Sequence, residues 1–199
     1  MLFRSVVAPQ DQWEGVPSPD GRGLVFRVSS PDTRRDIYWL PAGSSQPVPV
    51  LVTSFEERGI AVSADSRWLA YVSNETGADE VYVRPLPGPG GRVQISATGG
   101  REPRWGSGGR ELLYRSRDSV YAAEVTTLGG HVQVGRRHAL FRDVFRTGGA
   151  GNHAGWDVDP SGRRFVFVRD GGVLSERQVN VLVNWFHQPR TTAGAEVSP

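Results

Sequence analysis

A nine-residue phrase occurs four times in this chain and restricts its fold more than any other feature. It reads SPDGRGLVF from Ser18, SADSRWLAY from Ser63, GSGGRELLY from Gly106 and DPSGRRFVF from Asp159, so successive starts lie 45, 43 and 53 residues apart. Each copy is a turn-forming tetrapeptide, an arginine (Arg22, Arg67, Arg110, Arg163), one variable residue, two apolar residues and an aromatic (Phe26, Tyr71, Tyr114, Phe167). Pro, Asp, Ser and Gly supply the φ values and local hydrogen bonds of a tight turn. The Leu, Val and aromatic residues that follow suit a strand. By the two-residue period, Leu24, Phe26 and Val28 share one face and Val25 takes the other. Apolar residues on both faces call for a sheet covered on both sides.

A period of about 40–45 residues built from turns and strands is that of a four-stranded propeller blade. The reading is therefore an all-β chain, a β-propeller with four recognisable four-stranded blades over residues 1–188. The blades span approximately 9–57, 58–100, 101–146 and 155–188. Residues 1–8 form a stray or closing strand, and 189–199 a disordered tail. Within the blades, strands are predicted near Gly23–Ser29, Ile37–Leu40 and Val48–Val52, with SSPDTRRD as a hairpin loop. The second blade follows with Ile60–Val62, Trp68–Ser73, Val81–Arg84 and Val93–Ser96. The third takes Glu102–Trp105, Glu111–Ser116 and Val120–Val125, then either Val132–Val134 or Ala139–Phe141. The fourth offers Gly155–Val158, Arg164–Arg169 and Gln178–Phe186, without an obvious outer strand. A tyrosine recurs in the third strand of three blades, Tyr38, Tyr82 and Tyr121, as an inter-blade packing residue.

Residues 63–116 resemble the TolB-like (Pro-Asp, WD-like) propeller repeats of bacteria. The SPDG-like turns, the SNETG hairpin, EVYV, the TGGREPRW link and GRELLY carry the resemblance, which extends over Trp13–Gln188. It is nearest to the C-terminal propeller of bacterial serine/threonine kinases, through DVDPSGRRFVFV at Asp157–Val168 and VNVLVNWF at Val179–Phe186. The resemblance implies more blades than four. The chain accordingly reads as the C-terminal part of a larger propeller, an open arc or a small ring. Open blade edges would favour self-association.

Composition and motifs argue against most catalytic chemistries. There is no Cys, hence no thiolate or disulfide. All cationic side chains other than His are Arg. The absence of Lys removes the lysine that a kinase uses on ATP phosphates, and no glycine-rich phosphate loop, HRD or DFG segment occurs. No G-x-S-x-G elbow is present; Ser107 and Ser161 are turn residues. Asp157, Asp159, Ser161 and Gly162 match half of a calcium loop, but Val168 stands where a bidentate Glu is required. The four histidines (His131, His138, His153, His187) lack ligand spacing. Asn74-Glu75-Thr76 fits a glycosylation pattern within a polar hairpin. The net charge of +2 and the pI of about 9.4, with Arg136-Arg137-His138 as the one basic patch, do not amount to a nucleic-acid face. No apolar run reaches the roughly 20 residues of a bilayer span. No cofactor or metal is expected.

A binding role remains. Propellers gather polar loops at the mouths of a central channel. Residues at or just before the inner strands are placed there: Trp13, Glu14, Arg101, Glu102, Arg104, His153 and Trp156. The primary expectation is a non-catalytic scaffold for protein–protein interaction or sensing, with an unidentified protein partner. The alternatives are an accessory, regulatory propeller of a kinase or peptidase, and a small-molecule or glycan binder in the channel. The reading is of a soluble chain, cytoplasmic or, within a longer exported protein, periplasmic.

Overall fold

The computed structural model describes residues 12–145, 154–169 and 178–183. They form antiparallel sheets that follow one another in chain order. The first blade is β1 (Gln12–Pro17), β2 (Gly23–Ser30), β3 (Arg34–Pro41) and β4 (Val48–Leu51). The second is β5 (Arg58–Val62), β6 (Trp68–Ser73), β7 (Glu80–Pro85) and β8 (Val93–Gln94). The third is β9 (Arg101–Trp105), β10 (Glu111–Ser116), β11 (Ser119–Leu128) and β12 (His131–Arg142). The fourth is β13 (Trp156–Val158), β14 (Arg164–Arg169) and β15 (Gln178–Val183). Each strand pairs with the next in sequence, so each blade is a meander. Among the described residues the sheets stand in a row and are not closed into a ring. The 1–8 segment, the 189–199 tail, most of the glycine-rich 147–155 link and 184–188 lie outside the described residues.

The repeated phrase makes the same turn every time. In each copy the first residue's N–H bonds a carbonyl five residues on: Ser18 to Gly23, Ser63 to Trp68, Gly106 to Glu111 and Asp159 to Arg164, all at 2.9 Å. The fourth residue's N–H returns to the first carbonyl, and that fourth residue is left-handed: Gly21, Ser66, Gly109 and Gly162, with φ between 58° and 73°. Glycine tolerates this backbone freely. Ser66 occupies it while its Oγ accepts the Asp20 N–H of the preceding blade, at 3.1 Å. The Asp20 carboxylate accepts the Arg22 N–H, and this bond holds its pKa down at about 2. GSGG, which lacks Pro and Asp, still turns correctly through a short 3-10 segment at Ser107–Gly109.

Strand alternation then sorts the side chains. Leu69 and Tyr71 pack against Val25, Ile37 and Trp39 of the first blade, whereas Ala70 and Val72 pack against Leu112 and Tyr114 of the third. Leu113 of β10 meets Phe165 and Phe167 of the fourth. The phrase aromatics Tyr71, Tyr114 and Phe167 thus all face the preceding blade. All six residues of β6 are buried, the signature of a sheet covered on both sides. Leu24, Phe26 and Val28 share one face of β2 and Val25 the other, as the period requires. The recurring tyrosines sit directly opposite the phrase aromatics in the cross-strand register: Phe26–Tyr38, Tyr71–Tyr82 and Tyr114–Tyr121. These pairs stack at centroid distances of 6.1, 5.7 and 5.9 Å.

Several strand boundaries differ from expectation: β8 stops at Gln94, and β11 runs on to Leu128. The SSPDTRRD hairpin shrinks to Pro31–Thr33, because β2 and β3 pair out to Ser30 and Arg34. The polar residues of that segment serve the strand end: Asp36 accepts from Thr33 Oγ1, and Arg35 pairs with Glu56 of the linker at 3.1 Å. The two alternative outer strands of the third blade are one strand, β12, running past both. Register shifts at Val120/Tyr121 and Ala123/Val125 absorb the mismatch between them, as bulges do.

Phe167 is fully buried and stacks on Phe145 at 4.9 Å and on Trp156 at 5.9 Å. Truncating it leaves a cavity at the junction of the last two blades. Phe167→Ala is expected to cost about 3–5 kcal/mol, measured as a lowered urea midpoint.

Candidate functional site

Counting back twelve residues from each phrase aromatic gives Glu14, Gly59, Glu102 and Gly155. All four lie at the entry of an inner strand, and they alternate. Glu14 and Glu102 adopt left-handed backbone, with φ of 53° and 51°; Gly59 does so at 62°. For a glutamate that conformation is strained, so something must hold it. Each glutamate reaches the equivalent position of the next blade. Glu14 accepts the Gly59 and Ile60 N–H groups at 3.0 and 3.1 Å. Glu102 accepts the Gly155 N–H at 2.8 Å. A buried arginine one residue after the phrase aromatic backs each carboxylate. Arg27 lies 3.4 Å from Glu14, and Arg115 lies 3.1 Å from Glu102. Arg115 also pairs with Asp143 at 2.9 Å and lies over the Phe167 ring at 5.4 Å. Burial pushes the Arg27 pKa down while Glu14 holds it up.

The second blade has Gly59 and Val72 at these two positions, and the fourth has Gly155 and Val168. A Cβ on Gly155 would lie 3.4 Å from the Arg115 guanidinium. The giving blade carries Glu and Arg, and the receiving blade is bare. Glu14 and Glu102, expected at a channel mouth, are therefore seated at the inner strands and engaged in joining blades.

The inner strands stand β1 beside β5, β5 beside β9 and β9 beside β13. Between them lies a cleft of about 460 Å³ with walls from all four: Glu14 and Val16, Ile60 and Val62, Arg104 and Trp105, and Asp157. Arg104 Nε lies 3.3 Å from Asp157, whose side chain is 73% exposed. Trp105 Nε1 donates to the Ala61 carbonyl at 3.2 Å, which fixes one wall. Arg101 lies apart from this cleft, 2.8 Å from Asp79 in a recess between the second and third blades. The Trp156 ring is buried in the Phe165–Phe167 stack. Trp13 is held in β1 opposite Arg27, and His153 lies outside the described residues. Of the seven expected residues, the structure brings Glu14 and Arg104 to one cleft and sends Arg101 and Glu102 to the recess. The sequence marks Asp157 only through a calcium-like pattern. Its alternation outward from β13 is the available signal for the cleft.

Other motifs resolve into structure. Asp159 accepts from Ser161 Oγ and from the Arg163 and Arg164 N–H groups, so its carboxylate closes its own turn. Arg137 donates to the Ile95 carbonyl of the second blade at 2.5 Å. Among the described residues, no group of three or more His, Asp or Glu is arranged to hold a metal, and no helix is long and apolar enough to cross a membrane.

Glu57, fully buried at the first junction, accepts from Thr53 Oγ1 at 2.7 Å and Ser73 Oγ at 3.3 Å, while its Oε2 has no hydrogen-bond partner among the described residues. Burial raises its pKa. The folded state therefore holds the Glu57 proton more tightly than the unfolded chain. Its contribution is full below the ordinary glutamate pKa of about 4.3 and is lost as pH rises through the raised value. Glu57→Gln should thus gain stability relative to the parent between acidic and neutral pH, as read by urea titrations across that range. Glu102→Ala orphans the Gly155 N–H and one side of Arg115. It is expected to cost about 1.5–3 kcal/mol, with Glu102→Gln costing less in the same assay.

No family model matches the sequence, and no curated protein matches it. Solved structures do share the fold. TolB from Acinetobacter baumannii superposes with a TM-score of 0.61 at 14% identity, over 88% of this chain and 41% of that one. A structure described as TolB from Agrobacterium tumefaciens gives 0.62 at 19% identity, over 88% and 59%. Kuenenia stuttgartiensis hydrazine synthase gives 0.55 at 13% identity, over 84% and 57%. The chain thus spans less than two thirds of each. Since these include both TolB and an enzyme, the shared fold is compatible with catalysis and with its absence. The blade frame, the meander topology and these likenesses together make the chain a set of TolB-like β-propeller blades.

Proposed function

We propose that this chain is a non-catalytic propeller module that recognises a protein segment in the cleft between its inner strands. The cleft carries the reading. Its walls come from four separate blades, so its shape is set by how the blades pack rather than by any one loop. Those walls combine apolar residues (Val16, Ile60, Val62) with Glu14, whose carboxylate is bound to the second blade, and one charged pair, Arg104 and Asp157. Apolar wall with a few placed polar groups is the composition of a recognition site. Asp157 is exposed while Arg104 is half-buried, and an ion pair with one partner in water is worth little to stability, so the Asp157 carboxylate can be exchanged for a ligand's at small cost. An extended peptide offering one acidic and one basic side chain would satisfy both residues. TolB-like propellers are folds of protein interaction, which agrees with a segment-binding role.

Selection of peptides from a displayed random library tests the reading. Peptides enriched on the parent protein should bind Arg104→Glu about tenfold more weakly or worse, with the thermal melt of the variant unchanged. Enriched peptides that bind Arg104→Glu and Val62→Glu as well as the parent would place recognition elsewhere and overturn it.

A further inference from the structure

A second concavity, of about 290 Å³, lies between the second and third blades, away from the cleft of the inner strands. It is lined by Asp79, Thr98, Arg101, Glu102, Arg115 and Arg117, together with the glycines of the linking segment. Its charges are unevenly shared. Asp79 carries two arginines at once: Arg58, and Arg101 through Nε at 2.8 Å. Arg58 and Arg101 are equivalent residues of neighbouring blades, each just ahead of the left-handed position. One carboxylate cannot neutralise two guanidiniums, so this side keeps a positive charge. Arg117, exposed on the β10–β11 turn, stands at the rim. On the opposite side Arg115 is shared by Glu102 and Asp143, which leaves one negative charge deeper in the wall.

Arg101 also has the geometry to receive an anion. Its side chain is 56% exposed, and its Nε lies 2.8 Å from Asp79. A guanidinium held at one edge presents its other edge in a fixed plane, which matches a carboxylate. Because Asp79 is also gripped by Arg58, it can hold Arg101 in place without cancelling it.

We propose that this inter-blade recess is a binding site for a small carboxylate, gripped by Arg101 and Arg117 with the Asp79–Arg58 pair as its fixed base. The carboxylate comes either from a free small acid or from an acidic side chain of a bound protein. The recess is independent of the cleft between the inner strands, so it stands or falls separately from the segment-binding reading.

Malonate titrated into the ¹⁵N-labelled protein at constant ionic strength, with chloride as the balancing salt, tests it. Saturable amide shifts confined to residues 98–102 and 115–118 are expected. They should weaken about tenfold or more in the Arg101→Gln, Arg117→Gln double variant, persist in part in Arg101→Lys, and stay unchanged in Arg104→Glu. A capped Asp-Asp peptide binding the recess more tightly than malonate assigns the carboxylate to a protein side chain. Tighter malonate binding assigns it to a free acid. Shifts that grow linearly with anion, match those caused by chloride or survive the double variant overturn the proposal.

Discussion

A β-sheet with apolar side chains on both faces cannot rest in water on either side, and the second blade is such a sheet. Leu69 and Tyr71 project to one side of β6, Ala70 and Val72 to the other, and every residue of that strand is buried. Each face carries several large side chains, at about 1.5–3 kcal/mol for each one fully buried. Stacking sheet against sheet is the arrangement that covers both faces of every interior blade. The row of blades, the convergence of their short inner strands and the cleft between those strands all follow from it.

Apolar burial is strong but non-directional, so it does not fix where one blade stops against the next. The polar contacts across the junctions do that. Glu14 and Glu102 each bind the amide at the matching position one blade on. Arg84 donates to the Val50 carbonyl, Trp105 to Ala61 and Arg137 to Ile95. Each pairs a named atom in one sheet with a named atom in the next, and each would be left unsatisfied by a one-residue slide. The alternation of Glu–Arg blades with Gly–Val blades suits a structure assembled in pairs of blades. The strained backbone at Glu14 and Glu102 is tolerated because the carboxylate is consumed at the junction.

That use of charge also shapes what is left for recognition. Side chains near the axis are of two kinds. Some are spent on the fold, such as Glu14, Glu102 and Trp105; others keep an exposed group, such as Asp157 and Arg101, or line the cleft half-buried, as Arg104 does. Recognition has to draw on the second kind. A low-identity likeness to TolB establishes how the sheets are arranged but not which of these exposed groups meets a ligand.

The repeated phrase alone determined the all-β character, the four blades, their turns and the face on which each aromatic lies. Those features depend on local rules: turn residues fix φ, and a period of two fixes the side-chain face. Only the tertiary structure decided which charged residues serve the junctions. Glu102 and Arg101 are adjacent in sequence, yet one is spent on the fourth blade and the other on the rim of a recess. The alternation of Glu and Gly twelve residues ahead of each aromatic was present in the sequence, but its meaning lies in atoms one blade away. The continuity of β12 across two candidate strands, and the burial of Trp156 in an aromatic stack, were hidden for the same reason. Burial and pairing depend on what the neighbouring sheet presents, and a single strand's pattern carries no record of that.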